Sequence, residues 1–182
     1  MPQILIFGDS IAYGAWDTEG GWAGRLRNFM DNHIATAPNY FWLIYNLGVS
    51  GDTTRDLLER FDRETEARFD ESEDHIILIS IGTNDTIFDN EKKENWVPID
   101  EFKSNLKQLI NQARKYSDKI VLLGDTPVDE SKVNPIPWVP NNSYLNKYIE
   151  EYNEVIKQTA QEQNVLFIDL LPEFQKIEYK NL

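Results

Sequence analysis

A chain of 182 residues is long enough for one domain with a substantial core and too short for two. Eighteen basic residues against 31 acidic ones leave a formal charge of −13, which argues against nucleic-acid and anionic-membrane partners. The absence of cysteine excludes disulfides and thiolate metal sites, and a pool of two histidines, His33 and His75, argues against a multi-histidine metal centre.

The N-terminus runs from Met1-Pro2-Gln3 straight into Ile4–Phe7, without the basic segment or cleavage site of a secretory signal. A cytoplasmic protein is the expectation. No apolar run reaches membrane-spanning length. Ile4–Phe7 is the first of five short apolar runs, followed by Phe41–Leu47, Ile76–Ile81, Ile120–Leu123 and Val165–Ile168. Each is nearly continuous rather than alternating, the pattern of strands covered on both faces. Helical patterns separate them, over Trp22–Asn32, Thr54–Arg68, Ile99–Tyr116 and Ser143–Gln163. Asp100 is expected to cap the third helix, and Asn142 or Ser143 the fourth. Pro127–Pro140 carries four prolines and reads as a long loop. The alternation predicts an α/β fold over residues 1–182, a single domain built as a three-layer α/β/α sandwich. Its centre is a flavodoxin-like parallel sheet of about five strands.

In such a sheet, chemistry collects beyond the carboxyl ends of the strands. Gly8-Asp9-Ser10 follows the first run, Gly48-Val49-Ser50-Gly51 the second, Gly82-Thr83-Asn84-Asp85 the third and Gly124-Asp125-Thr126 the fourth. A serine directly after a strand can project its hydroxyl into the rim crevice. The Ser10 and Gly48 backbone N–H groups and the Asn84 amide would then supply three donors to a tetrahedral oxyanion. Each segment alone also fits an ordinary turn. Their conjunction at one rim favours a hydrolase-type site. Asp9 is expected to order the loop beside the substrate rather than to move protons.

Ile6-Phe7-Gly8-Asp9-Ser10, Asn46-Leu47-Gly48-Val49-Ser50-Gly51 and Ile81-Gly82-Thr83-Asn84-Asp85 closely resemble, in order and spacing, the first three sequence blocks of the SGNH/GDSL hydrolases. The resemblance implies hydrolysis of small-molecule carboxylic esters or thioesters, without metal or organic cofactor. It places the nucleophile at Ser10 and the oxyanion hole at Ser10, Gly48 and Asn84.

The family's general base is a histidine in an Asp-x-x-His motif after the last strand. The residues after Ile168, from Asp169 to Leu182, contain neither histidine nor motif. His75 precedes the third strand and Asn84 follows it, roughly 20 Å apart at opposite rims. His33 lies about 17 Å down the first helix from the active rim. Three explanations stand. The segment carrying the motif and a last helix lies beyond this sequence, or the chain is a non-catalytic relative, or Asp125, Asp169 or Glu173 serves as base. The first is preferred, because an ordinary carboxylate pKa is too low to activate serine at neutral pH.

Trp16, Trp22, Trp96, Trp138, Tyr13 and Phe88 lie on or near the rim loops and either line a substrate pocket or cap the core. Trp138, in the proline-rich loop, is the leading substrate-side candidate. A flavodoxin-like flavin or phosphate module is the other functional class, weakened because Asp9 brings negative charge to the first loop and no basic residue accompanies it. The acidic Asp70–Asp74 cluster precedes a strand, at the rim away from the site, and reads as solvated surface.

Overall fold

The computed structural model describes residues 1–34 and 41–177. Five parallel strands form the central sheet: β1 (Gln3–Gly8), β2 (Leu43–Gly48), β3 (His75–Ser80), β6 (Lys119–Leu123) and β8 (Leu166–Ile168), in the order β2-β1-β3-β6-β8. Between them run α2 (Gly21–Ile34), α3 (Thr54–Glu66), α4 (Ile99–Ala113) and α6 (Asn146–Glu162). All five expected strands and four expected helices are present, with ends moved by a few residues.

Alternation along the strands divides the core into two. Leu5 and Phe7 of β1 join Leu57 and Phe61 of α3, Phe102 and Leu106 of α4, and Ile156 of α6 on one face. Ile4 and Ile6 pack with Ala23, Trp22 and Leu26 of α2 on the other. Coverage of the two faces is unequal. On β8, Phe167 packs against the main core, whereas Leu166 and Ile168 are 61% and 44% exposed. The expectation of strands covered on both faces therefore holds at the centre of the sheet and fails at this edge.

Above the carboxyl rim lies a second, antiparallel sheet that the sequence patterns do not reveal. It comprises β4 (Phe88–Asp89), β5 (Glu94–Asn95) and β7 (Asn142–Ser143), in the order β5-β4-β7. Two-residue strands carry no readable periodicity. This sheet also explains why the expected cap of α6 moves: Asn142 and Ser143 are paired with Asp89 and Phe88, and the helix begins after Leu145. Their side chains serve other contacts, Asn142 Oδ1 accepting from Trp96 Nε1 and Ser143 Oγ donating to Asn134. Asp100 likewise lies inside the first turn of α4, which is capped at Pro98. There its carboxylate favours the helix dipole without capping. The proline-rich stretch is mainly loop, interrupted by the single-turn α5 (Glu130–Val133) and a tight bridge between Ile136 and Val139.

Among the described residues no helix is long and apolar enough to cross a membrane.

Candidate active site

Register places the three motif segments together. Gly8 pairs with Gly48 on β2 and with Ser80 on β3, so the segments that follow leave the sheet side by side. Ser10 begins α1 (Ser10–Tyr13), capped by Asp9, whose Oδ1 accepts from the Ile11 N–H at 2.8 Å. Asp9 thus orders the loop and the Ser10 backbone from a buried position.

Gly48 is required by close approach. A Cβ there would lie 2.4 Å from the Tyr13 nitrogen and 2.8 Å from the Asp9 carbonyl oxygen, so only glycine lets β2 lie against the start of α1. Asn46 fastens the same junction. Its Nδ2 donates to the Ala12 carbonyl at 2.9 Å, and its Oδ1 accepts from the Gly48 N–H at 3.0 Å.

Asn84 is buried and its carboxamide is held at both ends. Nδ2 donates to the Asp52 carbonyl at 2.8 Å, and Oδ1 accepts from the Tyr144 hydroxyl at 2.6 Å. The second amide hydrogen has no acceptor among the described residues. Tyr144 comes from the segment after β7, and Asp52 from the loop after β2. Arg60, on α3, binds the Asp52 carboxylate at 2.7 Å and the Leu47 and Gly8 carbonyls at 2.8 and 3.1 Å. It therefore pins the ends of β1 and β2 from below. Tyr144, Asp52 and Arg60 belong to no motif, and only their tertiary placement marks them.

Three carboxyl groups sit beneath the rim. Burial raises Asp9 to about 6 and both Asp85 and Asp125 to about 7, against a carboxylate's ordinary value near 4. Asp85 is tied to the N-terminus of α3 through the Thr54 N–H at 3.0 Å and the Thr54 hydroxyl. Asp125 accepts from the Thr83 hydroxyl at 2.9 Å through Oδ1, while Oδ2 has no partner among the described residues. The sequence-based objection to a carboxylate base, a pKa too low, therefore fails for Asp125. Geometry sets it apart instead, because among the described residues its carboxylate accepts from the Thr83 hydroxyl and makes no hydrogen bond to Ser10. Asp169 contacts Asn153 and Lys157, and Glu173, on α7 (Leu171–Gln175), contacts Lys176 just beyond that helix. Among the described residues, no side chain hydrogen-bonds Ser10 Oγ.

The histidines stand where the sequence expects. His75 opens β3, buried against Phe69 with ring centroids 4.9 Å apart, and His33 ends α2 beside Phe29.

The raised carboxyls have a consequence for stability. A carboxyl whose folded pKa exceeds its unfolded value stabilises the fold while protonated, and that contribution is lost as pH rises from about 4 to about 7. The Asp125→Asn variant removes one such ionisation. From pH 5 to pH 8 its stability should therefore rise relative to the parent protein by about 2 to 4 kcal/mol, read from denaturant melts at both pH values. Parallel pH profiles would show that Asp125 does not change charge in this range.

A serine hydroxyl at a strand-to-helix turn, an anchored carboxamide and a glycine N–H thus lie at one rim of the sheet. Residues 6–181 match the GDSL-like Lipase/Acylhydrolase family, and the chain belongs to it. It is similar to an acetylxylan esterase of Geobacillus stearothermophilus, 26% identical over 96% of this chain and 78% of that protein. It is also similar to a human isoamyl acetate-hydrolyzing esterase 1 homolog, 26% identical over 93% of this chain and 66% of that one. Among solved structures, a lipase/acylhydrolase from Enterococcus faecalis superposes with a TM-score of 0.75 at 25% identity, over 98% of this chain and 80% of that one. The Geobacillus acetylxylan esterase superposes with a TM-score of 0.70 at 25% identity, over 99% and 80%. Structures of that esterase include catalytic mutants in which a serine, an aspartate or a histidine is replaced by alanine. The five-stranded parallel sheet with flanking helices is the SGNH-hydrolase α/β/α fold.

Proposed function

We propose that this protein hydrolyses carboxylic esters through an acyl-Ser10 intermediate, with acetyl as the acyl group. The observation that carries the reading is the convergence of Ser10, Gly48 and a doubly anchored Asn84 at one rim. Ser10 Oγ adds to the ester carbonyl, and negative charge develops on the carbonyl oxygen. The Ser10 N–H, the Gly48 N–H and the unengaged Asn84 N–H receive that charge, the Gly48 group shared with Asn46 Oδ1. Collapse of the tetrahedral intermediate expels the alcohol and leaves acyl-Ser10, which water then hydrolyses. The acetyl assignment takes support from the two named esterases, whose names specify acetates.

The Ser10 proton requires a base. In this reading it is the histidine of an Asp-x-x-His segment that follows the present sequence and is accompanied by a last helix. The exposed Leu166 and Ile168, an apolar sheet edge that no helix among the described residues covers, support it. So does the greater length of the relatives, among them an esterase with a catalytic serine, aspartate and histidine.

Without a base, deacylation slows along with acylation, so the acyl-enzyme should persist. Incubation of the 182-residue chain with p-nitrophenyl acetate, then proteolysis and mass spectrometry, should find one acetyl group on the Ser10 peptide. Acetylation confined to surface lysines would instead support a non-catalytic binding protein.

A further inference from the structure

Two tryptophans beside the candidate nucleophile are exposed far beyond what the fold requires. Trp16 is 88% and Trp138 64% exposed, yet their rings meet with centroids 6.0 Å apart at 55°. They belong to loops separated by more than a hundred residues, and each is held at the tip of a hydrogen-bonded turn.

Trp16 follows two residues, Gly14 and Ala15, whose N–H groups both donate to the Ser10 carbonyl at 3.0 Å. Its backbone is in the left-handed region, φ 61°, which a non-glycine residue adopts only where its surroundings impose it. The loop is locked below it. A Cβ on Gly14 would lie 2.5 Å from the Gly20 carbonyl oxygen, and Arg25 grips Asp17 through two bonds at 2.8 and 3.2 Å. Trp138 stands on a turn closed by the Val139 N–H to the Ile136 carbonyl at 3.1 Å, with Ile136 buried as its anchor. A cleft of about 300 Å³ runs from Ser10 past Gly14 to Trp16, Asp17 and Trp22.

We infer that Trp16 and Trp138 form a binding platform for the alcohol part of the ester, and that this part is a neutral sugar ring. The inference rests on the ester-hydrolase reading above. Strained, rigid presentation of two indoles from separate loops is conformational preorganisation, which lowers the entropy cost of binding. An occupant of so open a platform must keep its edges in water while offering an apolar face to the rings. A pyranose does so through its C–H face, whereas an alkyl chain gains most from an enclosed site. Asp17 lines the same cleft as Trp16 and is held there by Arg25, and its carboxylate can accept from ring hydroxyls. The net charge of −13 opposes anionic lipid surfaces.

The test is a calorimetric titration of the full chain carrying Ser10→Ala, which binds without turnover, against an O-acetylated methyl glucoside. Binding should be measurable. Trp16→Ala and Trp138→Ala should each weaken it up to about tenfold, and Trp16→Phe should recover most of the loss. Melting temperatures should not move, since both side chains are exposed. No binding, or equal affinity in all variants, would overturn the assignment. So would tryptophan-dependent binding to phosphatidylcholine vesicles in place of the sugar ester. Acetylation of Ser10 by p-nitrophenyl acetate is a separate readout, so failure of the platform is distinguishable from failure of the hydrolase reading.

Discussion

Replacing Ser10 by alanine is expected to abolish all imidazole-dependent hydrolysis of p-nitrophenyl acetate by this chain. Ser10 Oγ has no hydrogen-bonding side chain among the described residues, so none of them is placed to take its proton. An intact triad loses roughly 10⁶ in kcat when its serine or histidine is removed, and what remains comes from the oxyanion donors and binding. The 182-residue chain should therefore be slow by itself. Imidazole from solution restores the missing proton acceptor without its positioning. A gain of up to about 10²-fold is expected, the lower end of what general-base catalysis contributes. Imidazole also attacks the ester directly, and the Ser10→Ala protein measures that background. The decisive quantity is the difference between the two proteins across an imidazole titration. A parent protein that gains no more than Ser10→Ala would remove Ser10 from the chemistry. High turnover without imidazole would mean that a base within the described chain has been overlooked, with Asp125 first to be replaced.

Asn84→Ala is expected to lower the rate of Ser10 acetylation by about 10² to 10³ with little change in KM, the signature of a donor that acts mainly on the developing oxyanion. The amide works only if its nitrogen, not its oxygen, faces the reacting carbonyl. Two contacts decide that orientation: the Tyr144 hydroxyl donating to Oδ1, and Nδ2 donating to the Asp52 carbonyl. Tyr144→Phe removes the first and leaves a buried acceptor without a partner, a loss of about 1 to 3 kcal/mol that the amide can relieve by turning over. The expected effect on acetylation is about tenfold, again in kcat, with the fold intact by thermal melting. If Tyr144→Phe acylates at the parental rate, the Asp52 carbonyl alone orients Asn84. If Asn84→Ala does so as well, the backbone donors suffice and the assigned oxyanion hole is wrong.

Much of the architecture was legible in local chemistry. Near-continuous runs such as Ile4–Phe7 and Ile76–Ile81 are what strands in the middle of a covered sheet look like, and α3 and α4 show the spacing of helices with one buried face. The small sheet over the rim was not legible, because pairs such as Phe88–Asp89 and Asn142–Ser143 are too short for any period to show. The expected caps also lie elsewhere, Asp100 falling inside the first turn of α4 behind its Pro98 cap. A residue competent to cap also makes other bonds, and Asn142 is taken by Trp96.

For the site, residue type and order alone determined that Ser10, Gly48 and Asn84 would stand on successive strand ends, because in a parallel sheet every strand points to the same rim. They also determined that neither histidine could reach Ser10, since a strand and a helix have fixed rises per residue. What only the tertiary structure decided is how the site is held and what surrounds it. Tyr144 on Asn84, Arg60 under Asp52, Trp138 against Trp16 and the raised carboxyl of Asp125 all depend on segments far apart in the chain. Such contacts follow from the packing of loops, and burial shifts a pKa only once the whole fold has excluded water. Periodicity and spacing are local quantities and record neither.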